Sequence, residues 1–196
     1  LRDFGLNLYT QERNRQLASR AWKDGLATVD LSAASDTIAE SVVRLLLPVN
    51  WVNALEFCRV PETILPDGER VTLQKWSSMG NGYTFELESL IFYACALACV
   101  GERDWRNVST FGDDIIIPAH ALAELERTLT FLGFKVNREK THGIGSFHES
   151  CGADFFKGVN VRPFYLRSNY HDFDSICYIY ANNARRWANR RNGGWS

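Results

Sequence analysis

Phe111-Gly112-Asp113-Asp114-Ile115-Ile116-Ile117 sets two adjacent carboxylates on a tight turn, between Asn107-Val108-Ser109-Thr110 and an apolar run that reads as a buried strand. Adjacent aspartates repel each other, and a hairpin that only had to turn is better served by Asn-Gly or Asp-Gly. The second carboxylate therefore points to a bound divalent cation. Another acidic strand end lies upstream, where Thr28-Val29-Asp30 closes an apolar run and leads into Leu31-Ser32-Ala33-Ala34-Ser35-Asp36. Three carboxylates on two strand ends suit two metal ions about 3.5–4 Å apart, an arrangement that stabilises both the attacking and the leaving oxygen in phosphoryl transfer.

The rest of the chain says whether those strand ends can meet. Residues 26–31 read as a strand, and Ser35 or Asp36 is placed to cap a helix starting near Thr37, with Ile38, Val42, Leu45 and Leu46 at helical spacing up to Pro48. Residues 51–57 read as a further turn or two of helix, and residues 61–72, which contain Pro66-Asp67-Gly68, as a hairpin or loop. Residues 83–100 form a helix apolar over most of its surface, which requires burial. Residues 108–111 and 115–118 are the arms of the acidic hairpin. Residues 119–132 are an amphipathic helix ended by Gly133, and residues 134–137 a further strand. This is the split βαβ order of an α+β, ferredoxin-like antiparallel sheet backed by helices. A right-handed crossover leaves the first two strands parallel with the third antiparallel between them, so Asp30 faces Asp113 and Asp114. Residues 147–167 read as an appended β-ribbon.

The 196 residues, 45% of them hydrophobic, suffice for one domain with a real core. A net charge of -1 excludes a uniformly basic coat for nucleic acid, yet arginines and lysines gather near both ends: Arg13, Arg15, Arg20 and Lys23, then Arg185, Arg186, Arg190 and Arg191. Such clusters serve equally as phosphate-holding surfaces or as solvated helix faces. Five cysteines without a CxxC pair suit a reduced protein. His142, His148 and Cys151 are too irregularly spaced for a structural zinc site. No run approaches the roughly 20 apolar residues of a membrane span.

DLSAASD (residues 30–36), SSMGNGYTFELESLIF (77–92) and FGDD (111–114) stand in the order of palm motifs A, B and C of RNA-dependent RNA polymerases. Together with ESCG (149–152), FFKGV (155–159) and PFYLR (163–167), the wording resembles the replicase catalytic (beta) subunit of leviviruses, the single-stranded RNA bacteriophages that include Qβ. The resemblance runs over residues 26–167 and implies the palm domain of a right-hand polymerase. Residues 1–25 then form the end of the fingers or a connecting segment, and residues 168–196 the start of the thumb or a C-terminal helical segment. It implies RNA-templated RNA synthesis from NTPs on an RNA template and primer or product strand, in the cytoplasm of an infected bacterial host. Host elongation factors Tu and Ts, and a ribosomal protein, are partners in the family.

The resemblance also assigns roles. Asp30 and Asp113 bridge two Mg²⁺ ions, for which Mn²⁺ can substitute, and Asp114 is a further or indirect ligand, in keeping with the preference of hard cations for carboxylate oxygen. Asp36 sits near the ribose 2′ hydroxyl, a role compatible with an ordinary helix cap. Ser78, Gly80 and Asn81 belong to the glycine-rich loop that admits nucleotide and template. Met79 and Glu88 stand where many polymerases carry a serine and an asparagine, which leaves the ribose reader open. Phe111 replaces a common tyrosine and keeps its ring. Lys140 aligns with the motif D lysine, a general acid to departing pyrophosphate, although a lysine there is also suited simply to solvent. The ribbon at Ser150-Cys151-Gly152 supports the primer end. Arg185 to Arg191 around Trp187 is either an RNA-binding surface or an amphipathic helix with its tryptophan turned inward. Two other readings remain: another palm nucleotidyltransferase, such as a reverse transcriptase or cyclic-dinucleotide synthase, and a noncatalytic RNA-binding or assembly module.

Overall fold

The computed structural model describes residues 6–77, 80–163 and 173–192. Helix α1 (Glu12–Asp24) has Glu12 in its first turn and Lys23 in its last, as the helix dipole favours, and ends at Gly25, whose left-handed φ of 68° turns the chain into β1 (Leu26–Val29). Next come α2 (Glu40–Leu46), α3 (Val49–Phe57), the hairpin β2 (Glu62–Ile64) and β3 (Arg70–Thr72), and the long α4 (Thr84–Ala98). The acidic hairpin is β4 (Ser109–Phe111) and β5 (Asp114–Pro118), followed by α5 (Leu122–Phe131). The ribbon is β6 (Phe147–Ser150), β7 (Ala153–Phe156) and β8 (Val159–Asn160), and α6 (Phe173–Asn192) closes the described chain.

The central sheet has the order β1-β5-β4, with both pairings antiparallel, so β1 and β4 run parallel on either side of β5 as expected. Register places Val29 opposite Ile115 and Phe111 opposite Asp114, which brings the end of β1 and the hairpin turn to one edge. Strand alternation sorts β5 between two layers. Ile115 and Ile117 enter the main core with Ala27, Val29 and the α4 residues Leu87, Ile91 and Phe92. Ile116 and Leu26 face the other way, against Leu17, Ala18 and Ala21 of α1 and Ala153 and Phe155 of the ribbon. Covered on both faces, β1 has no exposed residue at all. Helix α4 is buried on most of its circumference, as its composition demanded.

The structure corrects two local expectations. No helix begins at Thr37: residues 35–37 form a 3-10 turn, and neither Ser35 nor Asp36 caps α2. Ala39 is extended and pairs with Lys75, while the Glu40 N–H is donated to the Gln74 carbonyl. This non-local bridge outcompetes local helix propensity and delays the helix to Glu40. Residues 134–137 also form no strand. Their pairing with the β1 side is reduced to a single Leu31–Val136 bridge, because the chain turns at Asn137, where the Lys140 N–H is donated to the Asn137 carbonyl. The ribbon keeps its shape through Cys151-Gly152 and Lys157-Gly158, two-residue loops with positive φ at both positions, as type I′ hairpins require. Its strands end at Asn160, and residues 164–167 of the expected ribbon lie outside the described residues.

Candidate active site

The hairpin between β4 and β5 turns through two residues, Gly112 and Asp113. Gly112 has φ 62°, and a side chain there would come within 2.9 Å of the Phe85 ring and 3.2 Å of Glu88 Oε1. Only glycine fits on both counts. The Gly112 N–H is donated to Ser89 Oγ at 2.8 Å and Thr110 Oγ1–H to the Ser89 carbonyl, so two polar bonds lock the hairpin onto α4, where Ser89 Oγ–H is itself donated to the Phe85 carbonyl. Phe111 packs edge-on against Phe85 with ring centroids 4.9 Å apart, the ring role expected of it.

Asp30, just past β1, stands at the same edge. Its Oδ2 accepts a hydrogen bond from Asn137 Nδ2 at 2.9 Å, and Lys140 Nζ lies 3.8 Å from its Oδ1. The Asn137 turn that interrupts the expected strand is thus what brings an amide and an ammonium to Asp30. Burial raises the Asp113 carboxyl above its usual range; its own backbone N–H opposes the shift, the Asp30 charge adds to it and Lys140 offsets part. Asp30, Asp113 and Lys140 therefore share one electrostatic neighbourhood.

Asp114 belongs to the same edge but is held differently. Its Oδ1 accepts from Ser150 Oγ at 3.2 Å and its Oδ2 from the Cys151 N–H at 3.1 Å, so both oxygens are occupied by the first turn of the ribbon. Burial raises its carboxyl; the Cys151 bond opposes this and the Asp113 charge adds to it. Asn14 of α1 completes the hub: its Nδ2 is donated to the Asp114 carbonyl and to Ser150 Oγ, and its Oδ1 accepts from Ser109 Oγ at 2.6 Å. Arg15 reaches the Cys151 carbonyl.

A cleft of about 350 Å³ opens beside Asp113, lined on its other side by Ala33, Ala34, Ser35, Gly80 and Asn81. Of the glycine-rich loop, Gly80 and Asn81 line this cleft, while Ser78 falls outside the described residues. Asp36 does not line the cleft; its carboxylate is 2.8 Å from Lys75 Nζ at the surface. A larger recess of about 640 Å³, behind residues 133–139, reaches Ser32 and Glu126 but none of the acidic edge.

Sequence reasoning gave no role to Glu88, Asn14, Ser89 or Asn137. Glu88 is buried in α4, its carboxyl is raised to about 7 by burial and by the Asp113 charge, and its Oε2 has no hydrogen-bond partner. Its signals in the sequence are its place in the motif, where many polymerases carry an asparagine, and its charge, which it shares only with Glu86 on the apolar α4. Among the described residues no three His, Cys, Asp or Glu side chains already stand in coordinating positions. The donor chemistry nevertheless fits a hard cation: half-buried Asp30, Asp113 and Asp114 and buried Glu88 gather at one edge, where Lys140 pairs with Asp30, and such groups are held ionised by a cation or else take up protons.

A parallel-ended split sheet with an acidic hairpin at its edge, a buried helix behind and a ribbon beside it is the fold of the RNA-dependent RNA polymerases. The chain matches the crystal structure of the RNA-dependent RNA polymerase of a human picorbirnavirus with a TM-score of 0.64 at 14% identity, over 96% of this chain and 45% of that one. It belongs to the RNA replicase, beta-chain family, whose model matches residues 1–195. It is 50% identical over 174 residues to the RNA-directed RNA polymerase subunit beta of Enterobacteria phage SP, covering 85% of this chain and 30% of that protein. The subunit beta of Escherichia virus Qbeta is 44% identical (96% and 32% covered) and the beta chain of Escherichia phage MS2 39% identical (95% and 34% covered). The chain thus spans about a third of the length of these curated relatives.

Proposed function

We propose that residues 26–167 are the catalytic palm of an RNA-templated RNA polymerase that copies a single-stranded RNA phage genome. Residues 1–25 adjoin the fingers and residues 168–196 lead into the thumb. The observation that carries this reading is the meeting of Asp30 and Asp113 at one sheet edge, beside a cleft lined by Gly80 and Asn81.

Asp30 and Asp113 are the residues that would hold the two Mg²⁺ ions, with Asp114 contributing charge from its anchored position. Metal bound there would supply a lowered pKa at the 3′ hydroxyl and neutralisation of charge on the triphosphate. The 3′ oxygen attacks the α-phosphorus of the incoming NTP, a new phosphodiester forms, and the bond to the β-phosphate oxygen breaks. Lys140, near Asp30, supplies a proton to the departing pyrophosphate. Gly80 and Asn81 present a side-chain-poor wall that lets the nucleotide approach closely. Ser78 and Asp36 are the other residues assigned to nucleotide binding, Asp36 toward the ribose once it leaves Lys75. The template and product strands are RNA, the host factors are elongation factors Tu and Ts with a ribosomal protein, and the setting is the infected bacterial cytoplasm. None of the described helices is long and apolar enough to cross a membrane.

The test is templated incorporation of labelled NTPs by the full-length protein. Asp113→Asn should lose about three or more powers of ten, since stabilisation of transition-state charge by the ions is worth several kcal/mol at about 1.4 kcal/mol per tenfold. Undiminished synthesis by that variant would leave a noncatalytic RNA-binding module as the answer. Equal use of deoxynucleotides by the unaltered protein would leave another palm nucleotidyltransferase.

A further inference from the structure

We propose that Glu88 is a further cation-facing carboxylate of this centre, paired with Asp113 on the same wall of the cleft, and that it, more than Asp114, partners Asp113 in holding the ion or its bound water. The inference rests on reading the site as a cation centre. Glu88 projects from the second turn of α4 toward the hairpin, its Oε1 only 3.2 Å from where a Gly112 side chain would begin, and it lines the same cleft as Asp113. It is 7% exposed, yet Oε2 has no hydrogen-bond partner. No lysine, arginine or histidine pairs with it among the described residues, and the charge that acts on it is the negative one of Asp113.

Asp114 offers the contrast. Ser150 Oγ–H and the Cys151 N–H already satisfy its two oxygens, and the Asn14 hub holds that turn in place. Redirecting Asp114 toward a shared ion would break both bonds. Glu88 has no such bond to break, since its Oε2 is without a partner. A buried carboxyl with neither donor nor counter-ion, set beside another carboxylate, is costly. A divalent cation, which accepts several carboxylate oxygens and retains some waters, removes that cost directly. The glycine at position 112 fits the same picture, because any side chain there would fill the space between α4 and the turn that Glu88 uses.

Mn²⁺ binding to the full-length protein, read by electron paramagnetic resonance without nucleotide or RNA, tests this apart from activity. Glu88→Gln is nearly isosteric and should weaken Mn²⁺ binding about ten- to a hundredfold, the range typical for residues that support a bound metal, whereas Asp114→Asn should weaken it less. Glu88→Asp keeps the charge and should recover part of the loss, which loss through misfolding would not allow. Binding by Glu88→Gln within about twofold of the unaltered protein, while Asp113→Asn loses it, overturns the assignment and leaves the proposed function standing. Binding unchanged in Glu88→Gln, Asp113→Asn and Asp30→Asn alike overturns both.

Discussion

On one side of the cleft, the Gly112-Asp113 turn is fixed by Ser89, the Phe85–Phe111 ring contact and, through Asp114, by Ser150, Cys151 and Asn14. On the other, the 33–37 turn is held by its own bonds, Thr37 Oγ1–H to the Ala33 and Ala34 carbonyls, and by the exposed Asp36–Lys75 pair. Four separate elements converge on the first wall: α1, α4, the central sheet and the ribbon. The second rests on local contacts and small residues, with Ala34 its one side chain buried in the core. The difference teaches how the chain divides its work. Groups that gather negative charge need an over-determined frame, because they repel each other and are buried, whereas a wall that receives a substrate benefits from lacking bulk.

The sharpest way to break this contrast is Gly112→Ala. A left-handed φ costs roughly 1–2 kcal/mol in an L-residue and overpacking against Phe85 about 1–3 kcal/mol more, so urea unfolding should show a loss of about 2–5 kcal/mol. Templated synthesis should fall about a hundredfold, as for a misplacement near 1 Å at a reacting centre.

Glu88→Gln should act in the opposite direction in the cation-free protein. In the unfolded chain this carboxyl ionises near 4.5, but in the folded one near 7, so the folded state holds the proton longer. Its contribution is favourable below pH 4.5 and is lost as pH rises through 7. The variant should therefore be more stable than the unaltered protein at pH 8, by up to about 3 kcal/mol at 1.36 kcal/mol per pKa unit, with no such gain at pH 4. Urea midpoints across that range, with chelator present, check both the size and the sign.

Ser89→Ala removes the acceptor for the Gly112 N–H and should cost about 1–3 kcal/mol, the price of an orphaned buried donor. Lys75→Ala, on the loosely held wall, should cost no more than about 1 kcal/mol, because its partner Asp36 is largely exposed and solvent screens the pair. Equal losses for Ser89→Ala and Lys75→Ala would erase the distinction between the walls.

Much of the first wall was legible in the sequence. The continuous apolar run of β5, the mostly apolar β1 and the crossover rule were enough to bring Asp30 to Asp113, and the motif order named the residues. What was hidden depended on side chains meeting across the fold. Asn14 sits in a polar, charged stretch of α1, and nothing local distinguishes it from its neighbours Arg13 and Arg15, yet it is buried between β5 and the ribbon. The early helix start and the 134–137 strand failed for a related reason. Ala39 pairs with Lys75, and Asn137 turns to bond Asp30, and both are tertiary contacts that override local pattern.

The central claim is that two strand ends distant in the chain hold one cation centre, and a double-mutant cycle on Mn²⁺ affinity addresses it most directly. Asp30→Asn and Asp113→Asn should each weaken binding by tenfold or more, and the double variant should be little worse than either alone, because both act on the same ions. Losses that simply add on the free-energy scale, or affinities untouched by either change, would contradict the account.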